Sequence, residues 1–147
     1  VLLAALLTAP EAMAQRASAF DYIKAADIAS GRIERSAVYD EVTFESEPLR
    51  EAKMCDLNRG RIERLIAVLK RARASKEMRD GLSADMVLRF VRPGQTDLVA
   101  VISSPEHAGM DTEIFFGGRL ALLDPAGLAA VHDVAGEAGC GVGLKGD

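Results

Sequence analysis

The chain has 147 residues, 49% hydrophobic and 27% charged, with a net charge of −4, which suits one globular domain with a real core. It has no Trp and few aromatic residues, which argues against a carbohydrate or single-stranded nucleic-acid platform built from stacking rings. The acidic balance argues against nucleic acid as a partner altogether.

Residues 1–14 read as a cleaved signal peptide. Leu2, Leu3, Leu6 and Leu7 form an apolar run, Pro10 breaks it, and Ala12-Met13-Ala14 supplies the small-x-small pattern that signal peptidase accepts. Ala17-Ser18-Ala19 is a second possible cleavage point, and the plainer alternative is a buried first helix. The run is far below the ~20 apolar residues of a membrane span. The expectation is an exported protein, periplasmic or secreted. The two cysteines, Cys55 and Cys140, fit an oxidising compartment as a disulfide. Cys55 precedes the first main helix and Cys140 follows the last, so a bridge places the two helices antiparallel on one sheet face.

Residues 15–31 have weak helical spacing and read as a short helix or ordered arm ending at Gly31. Val38, Tyr39, Val42, Thr43 and Phe44 are strand residues, stopped at Glu47-Pro48. The segment 58–74 is the strongest helix. Ile62, Leu65, Ile66 and Leu69 fall at i, i+3, i+4 and i+7, on one face. The other face carries Arg59, Arg61, Arg64, Lys70, Arg71 and Arg73. Asp56 or Asn58 caps it. Arg59 and Arg61 oppose the helix dipole, so an acidic group is expected near the first turn, with Glu45, Glu47 and Glu51 as the internal choices.

Two hairpins follow. Segments 85–92 and 96–103 flank Pro93-Gly94-Gln95, and segments 112–116 and 119–123 flank Gly117-Gly118, where both residues can take φ > 0. Asp124-Pro125 starts a second helix in the favoured cap and N1 positions. Leu128, Val131 and Ala135 mark its buried face, and Gly136 ends it. Residues 15–136 are thus expected to form a single α+β domain, an antiparallel β-meander of about four to five strands with two main helices packed on one face. Residues 137–147 are expected to be a flexible Gly-rich tail.

No stretch carries a catalytic signature. Gly141 to Gly146 spells G-x-G-x-x-G, but a helix end rather than a strand precedes it, and Lys145 is followed by Gly. Ser103, Ser104, His107 and Asp111 invite a triad, yet such triads are held by a rigid scaffold rather than one polar loop. His107, Asp111 and Glu113 include metal-ligand types at a spacing that matches no established motif. His132 lies beside an apolar stripe and reads as a half-buried structural residue.

Residues 58–79 hold eight Lys/Arg against two Glu, which leaves the rest of the chain strongly acidic and the molecule electrically two-sided. The expected function is therefore a small exported, non-enzymatic binding module of the inhibitor, immunity or accessory type. It would dock on an acidic protein surface through Arg59, Arg61, Arg64, Lys70, Arg71 and Arg73, with no cofactor, metal or nucleic acid. One alternative is a carboxylate- or metal-dependent hydrolase using the 103–113 loop. Another is an envelope structural protein that associates with an anionic membrane surface.

Overall fold

A computed structural model describes residues 20–42, 52–77, 82–103, 109–116 and 119–141, with the backbone alone for 37–42. The signal-peptide expectation, the Glu45, Glu47 and Glu51 expectation and the residues 142–147 of the tail lie outside the described residues. Among the described residues seven strands form one antiparallel sheet: β1 (Ser30–Val42), β2 (Lys53–Leu57), β3 (Arg73–Ala74), β4 (Leu82–Val91), β5 (Leu98–Ser103), β6 (Thr112–Phe116) and β7 (Arg119–Leu123). Two helices join them, α1 (Arg59–Leu69) and α2 (Pro125–Glu137). The class is α+β, and the sheet has more strands than the four or five expected.

The sheet order is β2-β1-β4-β5-β6-β7-β3. Strands β4 to β7 are the expected meander. Gln95 N–H donates to the Arg92 carbonyl at 3.1 Å, and Gly94 has φ 75°. With Pro93 before it, this is a type II turn, which needs a residue tolerant of positive φ in third place. The pairing of Phe116 with Arg119 leaves two residues between β6 and β7, as the Gly-Gly link requires.

The additions are β2, β3 and the first half of β1. β1 begins at Ser30, well before the strand read at 38–44, and pairs with β2 on one side and β4 on the other. Its register with β4 shifts between Arg35 and Asp40. The arm before it contains a short 3-10 turn at Ala25–Asp27 rather than a regular helix. Phe20, Ile23 and Ile28 are buried, and Phe20 stacks at 4.6 Å, tilted, on Phe116 of β6.

The α1 helix is capped by Asn58, whose side chain accepts from Arg61 N–H at 2.9 Å. It is shorter than the 58–74 segment: the helix stops at Leu69, and Arg73–Ala74 pair with β7 as an edge strand. Ile62, Leu65, Ile66 and Leu69 are all buried, each stabilising by roughly 1.5–3 kcal/mol relative to exposure. Because β2 and β3 are opposite edges of the sheet, α1 and its flanking residues carry the chain across the sheet.

The return is made by α2. Asp124 caps it, accepting from Gly127 N–H at 2.6 Å, with Pro125 at N1. Gly127 itself sits so close to Leu123 that a Cβ would lie 2.6 Å from its Cδ1. At the far end Gly139 adopts φ 94°. Cys140 N–H reaches the Ala135 carbonyl and Gly139 N–H the Gly136 carbonyl, a complete Schellman ending. The next bond is covalent: Cys140 is disulfide-linked to Cys55 in β2, with Cα atoms 6.1 Å apart.

The helices are antiparallel, since Arg71 beyond the end of α1 meets Asp124 before α2, while Arg64 meets Glu137 at the end of α2. Both contribute to the main core, with Ile33, Met86, Leu88, Phe90, Ala100, Ile102, Ile114 and Phe116 from the sheet. On the opposite face a second cluster gathers Leu82, Ala84, Val87, Val101 and Leu120.

The disulfide closes an 85-residue separation, which the chain-entropy relation rates at about 4.5 kcal/mol. Replacing both cysteines by Ser is expected to lower the melting temperature by roughly 10 °C or more. A scanning-calorimetry trace within 2–3 °C of the parent, roughly the shift for 1 kcal/mol, would contradict that role.

Candidate functional site: the helix-layer arginines and a charged corner

The basic residues singled out in segment 58–74 do not stand alone. Arg59 donates to two carbonyls, Ala25 at 3.0 Å and Ile28 at 2.6 Å, so it pins the 3-10 turn to the start of α1. Arg64 holds Glu137 through two hydrogen bonds, 2.6 and 2.9 Å, and Arg61 approaches the same carboxylate at 3.7 Å. The acidic group near the first turns of α1 is therefore Glu137, contributed by the other helix. Arg71 contacts Asp124 at 3.1 Å, and Arg73 pairs with Asp111. Lys70 is only partly exposed.

The strong local charge of the linear segment is thus offset in space by α2 and by the approach to β6. The Arg64 hydrogen bonds hold the Glu137 carboxyl below its usual range, and Glu137 in turn raises Arg64. Arg64, Arg71 and Arg73 nevertheless remain half-exposed, each with its guanidinium oriented by a neighbour.

Asp111 of the 103–113 loop is taken up by Arg73. Ser104 and His107 lie outside the described residues, so neither the triad nor the His107, Asp111 and Glu113 grouping is assembled among those described. No group of three His, Cys, Asp or Glu suited to a metal occurs among the described residues. Of the G-x-G-x-x-G stretch only Gly141 is described. No helix among the described residues is long and apolar enough to cross a membrane.

His132 is half-buried on α2. Burial lowers its pKa, and the nearby charge of Arg35 lowers it further, against weaker opposite effects from Asp85 and Asp133. Arg35 is itself buried, donating to the Cys140 carbonyl at 3.5 Å and pairing with Asp85 at 3.5 Å. It therefore ties β1 and β4 to the end of α2.

A second charged group, unread in the sequence, lies on the face opposite the helices. Strand alternation puts Arg32 and Glu34 of β1, Arg89 of β4 and Asp56 of β2 on that side. Glu34 is fully buried. One of its oxygens, Oε2, accepts from Arg89 Nε at 2.6 Å and from Arg32 Nε at 3.1 Å. Its other oxygen, Oε1, has no hydrogen-bond partner among the described residues. At the adjoining corner, where β1 begins, β2 and β4 end and β5 starts, Arg32, Arg89, Asp56 and Asp97 line an open cavity of about 130 Å³. No protein-family model matches the chain, and comparison with curated proteins and with solved structures finds no significant match.

Two outcomes follow from these environments. Glu34→Gln leaves the largely buried Arg89 facing a neutral amide, and is expected to cost roughly 3–5 kcal/mol in urea unfolding. For His132, a folded pKa below the unfolded one means that the unfolded chain binds the extra proton. The neutral-His contribution is full above pH 6.5, the ordinary value, and is lost as pH falls. The melting temperature is expected to drop from pH 7 to 5, and His132→Asn to flatten that slope. An unchanged slope in the variant would show that other groups cause the drop.

Proposed function

We propose that this protein is a small exported binding module without catalytic activity of its own, and that it docks on an acidic protein surface through the outer side of the α1–α2 layer. The observation that carries the reading is the set of half-exposed guanidiniums at Arg64 of α1, Arg71 just after it and Arg73 of the edge strand β3, each oriented by a carboxylate. Arg59, Arg61 and Lys70 belong to the same surface, with Arg59 acting mainly to hold its frame.

The internal carboxylates do not block this role. Exposed ion pairs contribute little to stability and are screened by salt. A partner that offers several carboxylates at once can exchange for Glu137, Asp124 and Asp111, and the arginines meet it already oriented. Electrostatic docking of this kind favours fast encounter and salt-sensitive binding. The Cys55–Cys140 bridge is compatible with a place outside the cytoplasm, and the periplasm or the extracellular medium is the proposed compartment.

The test is the double variant Arg64→Glu, Arg71→Glu, used as bait against an envelope extract in parallel with the parent chain. Retention of an acidic partner is expected to fall by roughly tenfold or more, while the far-UV circular dichroism and the melting transition persist. Raising the salt concentration should release the partner from the parent in the same way. Equal capture by both baits would remove the helix layer from the reading.

A further inference from the structure

We propose that the corner cavity opposite the helices binds a small zwitterion of free amino-acid size, with Arg32 and Arg89 taking its carboxylate and Asp56 and Asp97 its ammonium. The cavity lies on the other face of the sheet from the docking surface, so this assignment does not rest on that reading.

The argument starts from charge. The four ionic walls are two guanidiniums and two carboxylates, so the cavity offers both signs at close range and favours neither as a whole. A plain anion seated against the arginines would face Asp56 and Asp97. A metal dication seated against the aspartates would face two fixed guanidiniums. A dipolar ligand with one charge of each sign satisfies both sets.

Geometry supports the same ligand. Arg89 is largely buried and its Nε is held by Glu34, so its guanidinium plane is set before any ligand arrives. Arg32 is fixed by the same oxygen of Glu34 but is itself exposed, and so flanks the mouth. Planar guanidiniums oriented in this way suit a carboxylate. Glu34 lies on the same face, one pleat along β1 from Arg32, fully buried beneath the cavity rather than lining it, and so acts by orienting the two arginines.

Size narrows the class. The cavity has a volume of about 130 Å³. It is well below the range of drug-sized ligand sites. It is enough for glycine, alanine or serine.

The experiment is an amide-resolved NMR titration of the full chain with glycine, and separately with acetate and with methylammonium as half-ligands. Glycine is expected to give saturable shifts at Gly31, Arg32 and Asp97, with each half-ligand at least roughly tenfold weaker. Arg32→Gln and Asp97→Asn are each expected to weaken glycine binding by roughly tenfold or more. Both positions are exposed, and unshifted amides elsewhere report the intact fold. Should Arg32→Gln not fold, Asp97→Asn, in the connection before β5, carries the test. Acetate binding as well as glycine, no saturable shift with glycine, or full binding by the Asp97 variant would each overturn the proposal.

Discussion

The fold depends on how one helix buries its apolar stripe. Ile62, Leu65, Ile66 and Leu69 leave water only if α1 lies against the sheet, and α1 joins the two strands at opposite edges of that sheet. The chain is thereby obliged to cross the sheet before the central strands β4 to β6 are laid down. α2 then returns antiparallel to α1, and Cys140 is joined to the edge strand from which the crossing began. Apolar burial supplies the drive and the disulfide fixes the ends. The hydrogen-bonded ladder fills the space between.

Charge is organised differently on the two faces. On the helix side, cations from one helix meet carboxylates from the other at the surface, where water screens them and exchange is easy. On the opposite side, Glu34 draws two arginines into a partly dry cluster, where loss of either sign leaves the other exposed to a poor solvent. The first arrangement suits reversible contact with a macromolecule. The second suits a rigid frame around a small polar guest.

Much of the architecture was legible in the residues because local signals agreed with the global fold. The Asn58 cap with the α1 stripe, the Asp124-Pro125 start of α2 and the Gly117-Gly118 link each act within a few residues. The cysteine pairing extended that reading to the antiparallel helices. The first half of β1 was hidden because Arg32, Glu34 and Arg35 look like a solvated loop, whereas Glu34 is buried among charges and Arg35 reaches the carbonyl of Cys140. β2 has only five residues, with Lys53 and Asp56 diluting its pattern. β3 has only two residues, and its apparent helicity in the sequence was overridden by pairing with β7. The charged corner escaped for a related reason. Arg32, Asp56, Arg89 and Asp97 come from separate segments, and register alone brings them together. Likewise, no local signal connected Arg64 with Glu137.

The covalent bridge also changes what a single cut in the chain can do. Everything between Cys55 and Cys140 belongs to a closed ring, and the exposed Pro93-Gly94 turn lies within it. A protease that nicks this turn opens the ring without dividing the molecule, so both pieces migrate as one species until a reductant separates them. Resistance to fragmentation therefore comes from the topology of the covalent path as well as from the packing of the core.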